Sequence, residues 1–170
     1  VNLVLDGVKE FFKTHPTFAH PTIKGKYLVA VSGGVDSVVL LKALYLLREN
    51  LNLDLGVFHL NHNFRNDASD SDAQLVKDMA KQMKLPYFGY RRPVEKLAAD
   101  YGMSFEAMGR KLRYDLAKAL FLAEGYQGLF TAHHSDDQAE TVLMHLFRGS
   151  SLKGLTGIAP VHDFKCRPLL

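Results

Sequence analysis

Apolar residues recur along this chain at two periods, and the two alternate. Short runs rich in β-branched and aromatic residues, bounded by turn formers, occupy 26–31 (KYLVAV), 53–60 (LDLGVFHL), 86–90 (PYFGY) and 128–133 (GLFTAH); this is the signature of strands. Between them apolar positions fall at helical spacing. Val39, Leu40, Ala43, Leu44 and Leu47 form one such stripe after a glycine turn. Residues 61–68 are polar with few apolar anchors and are expected to be mobile without ligand. A helix over 69–84 should follow, since Ser69 and Asp72 have capping-box spacing. A helix of about 20 residues starting at Ser104 is expected to bury Met108, Leu112, Leu116, Leu120 and Ala123. Another opens at Ser135, with Gln138 three residues on and an apolar face of Ala139, Val142, Leu143, Leu146 and Phe147. Residues 1–25 read as an amphipathic helix and a proline-containing connector, and 26–170 as one α/β domain. The alternation predicts a doubly wound, mostly parallel sheet of about five strands with helices on both faces and ligands at the carboxyl ends of the strands.

Composition narrows the class. With 170 residues, 47% of them hydrophobic and 23% charged, the chain has material for one core of ordinary size. No apolar run approaches the roughly 18 residues of a membrane span, and the start lacks a secretory pattern, so a cytoplasmic protein without a membrane partner is expected. Cys166 is the only cysteine, which excludes an intramolecular disulfide, a paired-cysteine zinc site and a cysteine-held iron–sulfur cluster within the chain. A net charge of +3 does not by itself advertise nucleic-acid binding. After residue 147, however, Arg148, Lys153, Lys165 and Arg167 face only Asp163, a balance that suits a solvated tail or an anionic partner.

The strongest local signal is Ser32-Gly33-Gly34-Val35-Asp36-Ser37, set between a strand and a helix. Paired glycines turn the chain sharply and bring backbone amides close to a ligand, and the helix start behind them favours negative charge. Phosphate needs that arrangement. The loop holds no lysine, and its glycine spacing fits neither the Walker nor the dinucleotide pattern. Ser32 and Ser37 add donors, and Asp36 beside phosphates makes sense as a Mg²⁺ ligand; the bland alternative is a strand-to-helix turn with Asp36 serving the helix start. Glu106, Arg110 and Arg113 share a polar stripe that suits a cleft. His133, His134, Asp136 and Asp137 fall where a strand ends and a helix begins, although Asp136 needs no explanation beyond the helix dipole. The histidines lack the helical spacing of a hydrolytic zinc site.

SGGVDS resembles the PP-loop of the ATP-pyrophosphatase families, which cleave ATP between its α- and β-phosphates and adenylate an acceptor. Three further segments, HLNHNFR (59–65), FEAMGRKLRY (105–114) and TAHHSDDQAETVLMHLFRGSSLKGLTGI (131–158), together with the final RPLL, resemble the tRNA(Ile)-lysidine synthetases in order and spacing from about residue 26 onward. Met108 and Gly109 stand where that family usually has alanines, a departure to which the sequence attaches no functional consequence. The resemblance implies the N-terminal catalytic domain of such an enzyme, cut off before its tRNA-binding parts. It implies ATP and Mg²⁺ as cofactors, and an isoleucine tRNA with a CAU anticodon and free L-lysine as partners. Ser32, Gly33, Gly34, Val35, Asp36, Ser37, His59, Arg113, Thr131 and His134 would then bind the nucleotide. Asp36 and Asp137 would hold the metal, with Asp137 also a candidate base; Asp36, Arg113 and Asp137 would form the catalytic set, and Arg113 suits the α-phosphate because its planar fork matches phosphate oxygens. Arg65, Arg110, His133 and Arg148 are candidates for touching tRNA or substrate. Two rival readings are a tRNA 2-thiocytidine-forming enzyme, which the single cysteine disfavours, and a non-catalytic ATP-binding module.

Overall fold

The computed structural model describes residues 2–16, 24–62, 66–132, 161–162 and 165–166. Four strands of four or more residues, β1 (Gly25–Ala30), β2 (Leu53–Asn61), β3 (Tyr87–Arg91) and β4 (Gly128–Thr131), run parallel. Two further strands of two residues each, β5 (Val161–His162) and β6 (Lys165–Cys166), extend the sheet, giving the order β3-β2-β1-β4-β6-β5. β6 is parallel to β4, and β5 is antiparallel to β6. Where about five strands were expected, the described residues hold four long ones and a short pair. The sheet order reverses direction at β1, whose two neighbours are β2 and β4.

Strand alternation sorts the core into two layers. Tyr27, Val29, Val31, Leu53, Leu55, Val57 and Phe130 face α1 (Asn2–Thr14), α2 (Val35–Leu47) and α3 (Asn66–Gln82). Leu28, Phe58, Leu60 and Leu129 face α5 (Phe105–Glu124) through Ala117 and Leu120. The N-terminal helix belongs to this core, because the Phe11 and Phe12 rings lie 6.1 and 5.7 Å from that of Phe130. None of the described helices is long and apolar enough to cross a membrane.

Three expectations need correction. α3 starts at Asn66, before Ser69, so Ser69 is not its cap; with Asn66, Asp67, Ser69, Asp70 and Ser71 in succession, the local signal does not single out one start. On α5, Met108, Gly109, Ala117 and Leu120 are buried, whereas Leu112 and Leu116 are half-buried and Ala123 is exposed. The cause is a change of partner. The first turns of α5 pack on α4 (Val94–Asp100) through Val94 and Ala98, and its later turns on the sheet. A stripe of i, i+4 steps also rotates round a helix of 3.6 residues per turn and cannot stay on one face. The third correction is α4 itself, seven residues with two buried positions, which periodicity did not reveal. The expected helix from Ser135 lies outside the described residues.

Candidate active site

β1 ends at Ala30, and the chain then turns through Ser32, Gly33 and Gly34 into α2. Gly33 has φ +102, a conformation that favours glycine, and a Cβ there would lie 2.8 Å from the Asp72 Cβ on α3. Ser37, one turn into α2 and buried, organises the loop: its hydroxyl donates to the Gly34 carbonyl at 2.8 Å and accepts from the Ser32 amide at 3.1 Å. The Ser32 hydroxyl lies 3.1 Å from it and accepts from the Gly34 amide at 3.3 Å. The N-cap residue of α2 is Gly34, which supplies no side-chain cap. The first turn of a helix carries amides without an intrahelical acceptor, and with the helix dipole in support it suits an anion.

Beyond the loop opens a cleft of about 660 Å³, within the usual size of small-molecule sites. Ser32, Gly34, Asp36 and Ser37 form one wall, Ala30, Val31, Phe58 and Leu60 the floor, and Thr131 and Ala132 the end of β4. α5 supplies the opposite wall through Phe105, Glu106, Arg110, Arg113 and Tyr114. The cleft lies at the carboxyl ends of the strands beside the point where the sheet order reverses, the place where open α/β sheets bind ligands.

Arg113 is a half-buried guanidinium that makes no ion pair among the described residues; Asp115, two residues on, pairs with Lys111. Burial pushes its pKa down from the usual arginine range, and the neighbouring Arg110 adds to this. A desolvated cation with no ion-pair partner among the described residues favours an anionic ligand. Asp36 is exposed in the first turn of α2 and lines the same cleft. Among the described residues no three histidine, cysteine or acidic side chains cluster tightly enough to hold a metal. One carboxylate facing a phosphate loop nevertheless fits Mg²⁺, which keeps several waters and binds through one or two carboxylates plus phosphate oxygens.

Of the residues expected from the sequence, the structure thus gathers Ser32, Gly34, Asp36, Ser37, Arg110, Arg113 and Thr131 around one cavity. Gly33 shapes the turn, and Val35 is 77% exposed on its outer side. His59 is a correction. Phe58 and Leu60 line the cleft, so the residue between them on the strand points to the opposite face, where His59 borders a second cavity. Arg65, His133, His134, Asp137 and Arg148 lie outside the described residues.

His62, Phe105 and Tyr114, which sequence pattern alone does not single out, also line the cleft. The His62 ring lies 5.5 Å from that of Phe105 and packs over Gly109, where an added Cβ would stand 2.8 Å from the His62 Cε1. Glycine at position 109 therefore has a structural consequence. Burial holds the His62 pKa below 6.5, and the Arg113 charge lowers it further. The signal for His62 was present in HLNHNFR, but only the close approach of α5 shows which of its histidines faces the cleft.

A mostly parallel sheet wound on both faces, with a glycine-capped helix start and a glycine loop opening on its carboxyl edge, defines an α/β domain suited to a phosphorylated ligand. The chain belongs to the PP-loop domain family, whose model matches residues 8–170. It is similar to the tRNA(Ile)-lysidine synthase of Geobacter sulfurreducens, 42% identical over 161 residues covering 95% of this chain and 33% of that protein. The Streptococcus pyogenes and Clostridium tetani proteins of the same name are 40% and 38% identical, covering 92% and 85% of this chain and 32% and 31% of theirs. The chain thus spans about a third of the length of these relatives. Among solved structures, the U34-tRNA thiolase NcsA from Methanococcus maripaludis with its [4Fe-4S] cluster shares the fold, with a TM-score of 0.66, 18% identity, and coverage of 96% of this chain and 58% of that one.

Proposed function

We propose that this chain is the ATP-binding catalytic domain of an enzyme that joins free lysine to the wobble cytidine of an isoleucine tRNA with a CAU anticodon, in the cytoplasm. The observation that carries the reading is the convergence of the Ser32–Ser37 loop, Asp36 and a half-buried Arg113, without an ion pair among the described residues, on one cleft in a chain about 40% identical to lysidine synthases over most of its length.

In this reading the loop amides and the Ser32 and Ser37 hydroxyls hold the pyrophosphate half of ATP, and Asp36, with Asp137, holds Mg²⁺, which when bound neutralises phosphate charge. The cytosine 2-oxo group attacks the α-phosphorus, the bond to the β-phosphate oxygen breaks, and pyrophosphate leaves with the bonding pair. Adenylation turns a poor leaving oxygen into a good one. The lysine ε-amine, as the free base, then adds at C2; the C–O bond breaks, AMP departs, and the amine loses its proton. Arg113 offsets the charge that builds on the α-phosphate, where positioning and charge neutralisation matter more than covalent help. Asp137 or a neighbouring base takes the amine proton, since an ordinary lysine ammonium has a pKa near 10.4. Arg65, Arg110, His133 and Arg148 would contact the tRNA or the substrate.

The test combines the intact enzyme with ATP, Mg²⁺, lysine and the isoleucine tRNA. Pyrophosphate release, with a cytidine heavier by one lysine less water, is the expected result; a thiolated base, or no modified base at all, would sink the reading. The 170 residues alone are expected to bind ATP and to modify tRNA poorly, because the relatives extend well beyond the shared segment.

A further inference from the structure

His59 sits beside the phosphate loop and faces away from the cleft, with 3% of its surface exposed. Its Nδ1 lies 2.7 Å from the carbonyl oxygen of Val31, the last residue before the loop. A carbonyl oxygen only accepts, so Nδ1 carries the proton and donates. Nε2 is buried without a hydrogen-bond partner among the described residues, and the residue borders a cavity of about 330 Å³ lined also by Asn61, Asp70, Gln74 and Lys77. Burial lowers the His59 pKa from 6.5, in keeping with a neutral ring that donates through Nδ1 alone.

The ladder explains why this carbonyl matters. Register pairing of β1 with β2 ends at Ala30↔Phe58, and the Val31 amide makes the last bond, 2.9 Å to the Phe58 carbonyl. The Val31 carbonyl and the Ser32 N–H belong to one rigid peptide plane. His59 on β2 holds the oxygen side of that plane, and Ser37 on α2 holds its N–H at 3.1 Å. The same Ser37 hydroxyl is tied to the Gly34 carbonyl, so the orientation of one peptide sets the turn that follows.

We propose that His59 is a positioning residue for the phosphate loop, clamping the 31–32 peptide from the sheet side through Nδ1–H so that the loop amides face the cleft. The proposal rests on the nucleotide reading of that cleft. It makes a demand specific to one ring nitrogen, which filling a core position does not. The amide nitrogen of asparagine falls near Nδ1, whereas that of glutamine falls near Nε2.

The experiment compares His59→Asn and His59→Gln in the same chain by three measurements: Mg·ATP affinity by calorimetry, exchange of the Ser32–Ser37 amides without nucleotide, and thermal unfolding. His59→Asn should stay within about threefold of the native affinity. His59→Gln should weaken it about tenfold, the worth of one hydrogen bond to a buried acceptor, and speed loop exchange by a similar factor at equal melting temperature. Equal losses in the two variants, or native exchange in both, would overturn the proposal. Nitrogen–proton spectra of the unmodified chain give a check independent of variant folding: a protonated Nδ1 supports the clamp, and an Nε2–H tautomer contradicts it. If the native chain took up no Mg·ATP while the exchange pattern held, the nucleotide reading would fail and the clamp would stand.

Discussion

Arg113 concentrates the anion preference of the cleft in one side chain. Its guanidinium is half-buried, makes no ion pair among the described residues and borders the same cavity as the glycine loop. Replacing it with methionine keeps the stem and removes the charge, so pyrophosphate release by the intact enzyme should fall on the order of a hundredfold. Arg113→Lys should recover only part, because an ammonium lacks the planar fork. Unchanged release in Arg113→Met would remove this residue from the chemistry. Two histidines, His59 buried and His62 half-buried, make a prediction about pH. His59 and His62 both have folded pKa values below 6.5, so between those values and 6.5 the unfolded chain binds more protons, and stability is lost as pH falls through that window. Urea midpoints should therefore drop more between about pH 8 and about pH 5.5 in the native chain than in His62→Gln; equal drops would mean that the cleft does not desolvate His62. Arg113 was recognisable in the sequence because charge type and helical stripe are local properties. His62 and Gly109 were not, since their meaning lies in the 2.8 Å separating the His62 ring from a Cβ that glycine lacks.

At the level of elements, α5 is the wall that turns an open sheet edge into a cleft, and its start is fixed by Ser104. The Ser104 hydroxyl accepts from the Ala107 amide at 3.2 Å, and the helix closes at Gly125, with φ 73, whose amide donates to the Phe121 carbonyl. Ser104→Ala should cost about 1 kcal/mol and lower the melting temperature by about 2–4 °C. It leaves the cleft chemistry in place, so nucleotide affinity should change little. A larger loss of affinity than of stability would mean that the helix start itself contacts the ligand. This start was legible because a serine cap followed by an apolar stripe is a local signal. The start of α3 was not, with several cap-type residues in succession, and α4 is too short for its period to register.

On the scale of the whole molecule, the strand order β3-β2-β1-β4 places the loop after β1 beside the end of β4, so Asp36 and Thr131 reach one cavity from positions far apart in sequence. Alternating periods in the sequence disclosed the parallel sheet and the edge that carries the site, because burying both faces of each strand leaves a pattern along the chain. They did not disclose which face His59 takes, since a one-residue difference in register reverses it. The N-terminal helix, read as a helix with a connector, packs into the main core through Phe11 and Phe12, and its removal should unfold the domain. Calorimetric titration of the chain with Mg·ATP, alongside Asp36→Ala, tests the nucleotide site most directly. Saturable heat in the native chain, weakened at least tenfold by Asp36→Ala in Mg²⁺ and much less without the metal, is the result expected. No heat at saturating Mg·ATP, or the same affinity in both proteins, would contradict it.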